Sequence, residues 1–224
     1  MIHDIKLGFK VMKYGLNFKM TLVGLLVCCG GGLLIQCLLP VAGIGVLYLG
    51  VGGMLFIQLL HSVSVSTMVQ SSPYKKRLQT TVPTVFASVW LLIANTASVV
   101  AQKLDYQRAV NNTNPFVSIT YEPGEYETGF LFAAFALVFI VLYGVLSMKC
   151  FWLSTIIFLA GFFGFMQFLK KGEISYIVIP EWSAILWSYG IVLLGCFVIY
   201  IISCITYRRE YSKATFGTLL KRAG

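Results

Sequence analysis

MTLVGLLVCCGGGLLIQCLLPVAGIGVLYLGVGGMLFIQLLHSVSVSTMVQSSPY, residues 20–74, contains no Asp, Glu, Lys or Arg. The charge-free gap between Lys19 and Lys75 is 55 residues long. A helix needs about 20 apolar residues to cross a hydrocarbon layer about 30 Å thick. The stretch therefore holds two crossings, with Pro40 at the turn between them. A cleaved leader does not fit, because the first apolar run leads straight into a second. No small-residue cleavage site followed by a polar domain is present.

Outward from this stretch the pattern repeats. Apolar segments without a formal charge cover residues 20–39, 41–61, 82–102, 129–148, 150–169 and 183–206. The chain is 58% hydrophobic and 11% charged, against about 25% charged residues in a soluble domain. That leaves too little polar surface to face water. Backbone that crosses lipid must form helices or a closed barrel. These runs lack the two-residue alternation of barrel strands, so they read as helices. The expected fold is all-α: one polytopic transmembrane domain over residues 1–224, with six transmembrane helices and an N-terminal interfacial amphipathic helix.

Lys and Arg set the orientation. With the N-terminus inside, 13 of them fall on the inner side and 4 on the outer side. Both termini are then cytoplasmic. Asp105, Glu122, Glu125, Glu127, Glu173 and Glu181 fall outside. Lys170 and Lys171 go against the rule, and their long stems suit snorkelling to the outer interface. The net charge of +9 follows from basic flanks beside anionic lipid, so nucleic acid is not an expected partner.

Outside the spans, residues 1–19 place Ile5, Phe9, Met12 and Leu16 on one helical face and Lys6, Lys10 and Lys13 on another, as an interfacial helix does. Residues 62–81 form a basic inner loop. Ser71, Ser72 and Pro73 are helix-start residues, so residues 74–80 read either as a short basic helix suited to docking a cytoplasmic partner or as a solvated basic turn that follows the positive-inside rule. Residues 103–128 read as an acidic outer loop, with residues 116–121 suited to short strands and Asn111 and Thr113 in a glycosylation triplet. Residues 170–182 read as a segment dipping into the outer interface, with Tyr176 and Trp182 at headgroup depth.

Catalytic and coupling groups are scarce. Ion-driven transporters carry ionisable groups within their spans, whereas the six read here hold no formal charge and His61 sits at the inner end of the second. No phosphate-binding loop is present, and the only histidines are His3 and His61, too few for an intramembrane zinc protease. The chain is not expected to be an enzyme by itself. Cys28, Cys29, Cys37, Cys150, Cys196 and Cys204 form no CxxC pair and read as packing residues; no metal site is expected. Asn95 and Thr96, in the middle of the third span, are the candidate polar points on a translocation path, with helix–helix hydrogen bonding as their alternative role. Gly24, Cys28 and Gly32 form a small-residue ridge that allows close helix approach.

This layout resembles the permease subunit of a type-2 ABC exporter. The residue stretch that carries the likeness is SSPYKKRLQTTVP, residues 71–83, which looks like the inner coupling segment of small permeases from Gram-positive bacteria. The resemblance implies a separate cytoplasmic ABC ATPase that binds ATP and Mg, docked on Pro73, Tyr74, Lys75, Lys76, Arg77 and Leu78. It also implies a second permease copy or a sister chain, a cell-membrane location, and an amphipathic cargo such as a peptide toxin of the phenol-soluble-modulin kind. One departure is the near absence of an inner loop around Lys149. A second reading, the membrane substrate-binding subunit of an ATP-driven vitamin importer, would need a pocket formed by groups such as Tyr121, Glu122, Tyr126 and Trp182.

Overall fold

The computed structural model describes residues 8, 10, 12–13, 18–38, 44–64, 73–111, 124–170 and 178–207. The regular elements among them are helices: α1 (Phe18–Leu38), α2 (Ile44–Ser64), α3 (Lys75–Gln79), α4 (Thr81–Val110), α5 (Glu125–Ser147), α6 (Phe151–Lys170) and α7 (Glu181–Thr206). Five stretches are long and apolar enough to cross a membrane: Phe18–Ile35, Gly45–Val63, Lys75–Arg108 (from α3 into α4), Glu125–Ser147 and Glu181–Thr206. The protein is a helical, multi-pass membrane protein. The remaining apolar segment lies in α6, where Phe151–Gly164 forms a shorter apolar helix.

Of the expected interfacial helix, Gly8, Lys10 and Met12 are described and helical. The expected strands at residues 116–121 and the core of the segment at residues 171–177 lie outside the described residues. The expected outer loop at residues 103–128 is shorter than the charges indicate. Helix α4 continues through Lys103 to Val110, and α5 already begins at Glu125. Lys103, Gln107, Arg108 and Ala109 are good helix formers, so the charges end the apolar run without ending the helix. Gly124 precedes α5 with φ 83°, a left-handed conformation open to glycine. Thr128 then bonds back to the Gly124 carbonyl through both its amide and its hydroxyl.

Helix α5 is apolar around its whole circumference, the pattern of a helix buried on all sides. It packs against α2, α4, α6 and α7. Its Ala133, Ala134, Leu137, Val141 and Val145 join Leu49 and Ile57 of α2, Leu91 of α4 and Val192 and Ile199 of α7 in the main core. Small residues let the backbones close in. A Cβ at Gly53 would lie 2.5 Å from Trp90 Cδ1, and one at Gly195 would lie 2.5 Å from Val138 Cγ1.

Side-chain contacts fix the helix directions. Gly24 faces Leu55 and Gly32 faces Tyr48, so α1 and α2 are antiparallel. The rings of Phe56 and Phe86 lie 5.4 Å apart, and Trp90 Nε1 donates to the Leu49 carbonyl at 3.1 Å, so α2 and α4 are antiparallel. Gly50 meets Ile140 and Gly144 meets Met54, which makes α2 and α5 parallel. Tyr126 donates to Glu181 and Gly195 meets Val138, which makes α5 and α7 parallel. Phe139 lies on both Gly161 and Phe158, and Tyr143 lies on Phe158, so α6 runs against α5. The bundle has a basic end with Lys75, Lys76, Arg77 and Lys149, and an acidic end with Asp105, Glu125, Glu127 and Glu181.

The close approach at Gly53 gives a stability test. Gly53→Leu is expected to cost about 1–3 kcal/mol through overpacking against Trp90 and to lower the thermal unfolding midpoint in detergent. Gly190→Leu meets open space within 4 Å and is expected to leave the midpoint unchanged within error.

Candidate functional site

The basic end is built around α3. Residues Lys75 to Gln79 form the expected short helix, opened by Pro73 and Tyr74 in turn conformation. Thr80 closes it, with its amide and hydroxyl both bonded to the Lys76 carbonyl. A helix of one turn is unstable in water, so tertiary packing must hold it. Leu78 supplies that packing. It is 7% exposed and joins Met12, Leu59, Leu60, Val82 and Phe86 in a second apolar cluster. Leu78 therefore anchors α3 to the bundle rather than facing outward with the other candidate docking residues. Pro73, Tyr74, Lys76 and Arg77 are exposed, and Lys75 is half-buried.

A polar tie sits beside this anchor. Lys149, in the turn between α5 and α6, donates from Nζ to Gln79 Oε1 at 3.3 Å, and both residues are buried. Burial pushes the Lys149 ammonium down to about 8 from its usual 10.5, and the charge of Lys75 acts in the same direction. His61, at the end of α2, is also buried and within electrostatic reach of Lys149. The one-residue basic turn read from the sequence is thus the base on which α3 rests. Thr84 Oγ1 meets Ser203 Oγ at 3.4 Å and ties the start of α4 to α7.

Asn95 and Thr96 lie together on the α4–α7 seam. Asn95 is fully buried, and its Nδ2 donates to Ser188 Oγ at 3.3 Å. Its Oδ1 has no hydrogen-bond partner among the described residues. Thr96 Oγ1 lies 2.8 Å from Tyr189 Oη and donates to the Leu92 carbonyl. Thr96 also lines a groove of about 610 Å³ between α1 and α4, whose other walls are apolar, from Leu33 to Leu104. Asn95 thus performs helix–helix bonding, while Thr96 both bonds and borders open space.

Sequence reasoning missed Asp105. It was placed in the outer loop, yet α4 carries it to the acidic end with 2% exposure. Asn95, Ser98, Gln102 and Asp105 stand at helical spacing on one face of α4, and Gln102 Nε2 donates to Ser98 Oγ at 3.2 Å. That spacing was the available signal. The pocket needed by the importer reading does not assemble from the residues described. Tyr126 is buried under Tyr106, with ring centroids 4.2 Å apart, whereas Trp182 is 67% exposed. Tyr121 and Glu122 lie outside the described residues. The described cysteines are free thiols, and no group of His, Cys, Asp or Glu among the described residues could hold a metal ion.

Comparison with family models, with curated proteins and with solved structures finds no match to this chain.

The Lys149 environment predicts a pH effect of defined sign. The folded state holds this proton less tightly than the unfolded chain does. Stability therefore rises as pH increases from about 8 towards the unfolded lysine value of about 10.4. Thermal midpoints measured across that window are expected to climb less in Lys149→Met than in the unmodified protein. The difference between the two curves isolates this group from the other residues titrating there.

Proposed function

We propose that this chain is the permease subunit of an ATP-driven type-2 ABC exporter. The observation that carries the reading is α3: a short basic helix whose Leu78 and Gln79 are held by the bundle, while Tyr74, Lys76 and Arg77 remain exposed. A docking element must present a recognition face and also transmit force. Exposed cations on a helix rooted in the core meet both requirements.

Six crossings fit the helix directions. Helices α5 and α7 are parallel and adjacent in sequence order except for α6. The chain leaves α5 at the basic end and enters α7 at the acidic end, so residues 148–180 must return it across the bundle. Helix α6 has 20 residues, about 30 Å at 1.5 Å per residue, enough for that return. Among the described residues the basic end gathers Lys75, Lys76, Arg77 and Lys149, so the positive-inside rule puts that end in the cytoplasm. Both termini follow it there.

In this reading a separate cytoplasmic ATPase binds ATP and Mg and docks on α3, and a second copy or a sister chain completes the permease in the cell membrane. The cargo is an amphipathic peptide or a similar amphiphile. The apolar groove bordered by Thr96 supports that class of cargo, since its walls suit an apolar face and its hydroxyl suits a polar one.

The test is purification of the tagged chain in mild detergent from its own cells, beside a variant with Lys75→Glu, Lys76→Glu and Arg77→Glu together. The expected result is an ATPase subunit that co-purifies with the unmodified chain and is lost from the variant. Absence of any ATPase from both preparations would overturn the reading.

A further inference from the structure

Between α1 and α4 the surface of the bundle holds an apolar groove of about 610 Å³, lined by Leu33 of α1 and by α4 residues from Leu92 to Leu104. That length of α4 spans about 18 Å at 1.5 Å per residue. It is close to half of a hydrocarbon layer about 30 Å thick, so the groove follows one leaflet, the one at the acidic end. Volume over length makes the space about 7 Å across on average. A helix with its side chains is about 10–12 Å across, so the groove takes an extended chain and not the body of a helix. Ile93, Val100 and Leu104 are exposed along it, so it opens sideways to lipid. Left empty, its walls lose their dispersion contacts on that side.

Apolar walls alone do not select an occupant, because a hydrocarbon chain gains little by exchanging lipid for a side-chain surface of the same polarity. Selection has to come from the end of the groove. Gln107 and Arg108 stand three and four residues beyond Leu104 on α4, so they continue the groove face by one turn, and both are exposed. Lys103, nearer α7, lies on Glu181. Arg108 also ends the membrane-crossing stretch of α4, which puts it at the level of the headgroups. A guanidinium there matches a phosphate with two parallel hydrogen bonds. We propose that the α1–α4 groove is a phospholipid site, with one acyl chain lying along α4 from Leu104 to Leu92 and the phosphate on Arg108. The lipid is a resident of the leaflet, so the site needs neither the ATPase nor the cargo of the exporter reading. A cargo entering the same groove displaces it.

The test is native mass spectrometry of the full chain in a glycoside detergent, titrated with palmitoyl-oleoyl phosphatidylglycerol. The unmodified chain is expected to hold one lipid well ahead of any others. Val100→Trp fills the groove from an exposed position and is expected to lose that lipid. Leu194→Trp adds the same bulk at an exposed site on α7 outside the groove and is expected to bind as the unmodified chain does. Arg108→Gln is expected to weaken binding about tenfold, the effect of losing hydrogen bonds to a charged group, while a phosphate-free glycolipid with the same chains binds it and the unmodified chain alike. Should Val100→Trp fail to fold, Arg108→Gln, at the exposed end of the helix, still decides. Unchanged phosphatidylglycerol binding in either variant would overturn the proposal. So would a second copy of the chain, or an added amphipathic helical peptide, that binds the unmodified chain and is lost from Val100→Trp while lipid binding stays the same.

Discussion

The structure depends on one constraint: backbone N–H and C=O groups have no water to bond in the hydrocarbon layer, so each crossing must satisfy them within its own helix. Once that is met, apolar side chains gain little by choosing one another over lipid. The order of the bundle must come from shape and from a few polar contacts. Both are visible around α5. Glycines at positions 50, 53, 144 and 195 let neighbouring side chains seat against bare backbone, and hydroxyl and amide groups mark the register of α4 on α7. Thr84 with Ser203, Asn95 with Ser188 and Lys103 with Glu181 form an antiparallel series along that seam.

This division of labour explains what could be read in advance. Hydropathy located the helices well, because the length of an apolar run is set by the membrane and each run is nearly self-contained. The short helix at residues 75–79 was also legible, from Pro73 and the cations that follow it. The side-chain partners were not. Leu78 looked like one more residue of an exposed motif, but a single leucine in a basic turn is where such a turn can be anchored. Lys149 looked like a minimal loop marking the cytoplasmic face. Its role as a donor to Gln79 depends on residues 70 positions apart in sequence, which no local pattern reports. Asp105 was misplaced for a third reason. The charges from Lys103 onward end the apolar run, while the helix continues to Val110 because Lys, Gln, Arg and Ala favour it.

The anchoring of α3 bears on how force would pass through the protein. A docking loop that hung free would move without moving the bundle. Helix α3 is attached at two points with different chemistry. Leu78 joins it to α2, α4 and Met12 through apolar packing, and Gln79 joins it to the α5–α6 turn through Lys149. Only Thr80 separates it from α4. A displacement of α3 therefore acts on α4 directly and on the central helix through one polar bond. The apolar contact sets position and tolerates sliding, whereas the polar bond is directional and either holds or breaks.

The two ends of α4 are consequently held in different ways. At the basic end its start is clamped by packing, by Thr84 on Ser203 and by the attached α3. At the acidic end it meets α5 and α7 through the cluster of Val99 with Tyr126, Phe130 and Ala184, the stacked rings of Tyr106 and Tyr126, and the half-exposed ion pair of Lys103 with Glu181, beside the buried Asp105. Half-exposed ion pairs contribute little to stability. Between the ends, Asn95, Ser98 and Gln102 carry amide and hydroxyl groups along one face of α4, where Asn95 donates to Ser188 of α7 and Gln102 to Ser98. These contacts continue towards the acidic end what Thr84 begins with Ser203 at the basic end, so polar groups mark the register of α4 on α7 along the whole seam.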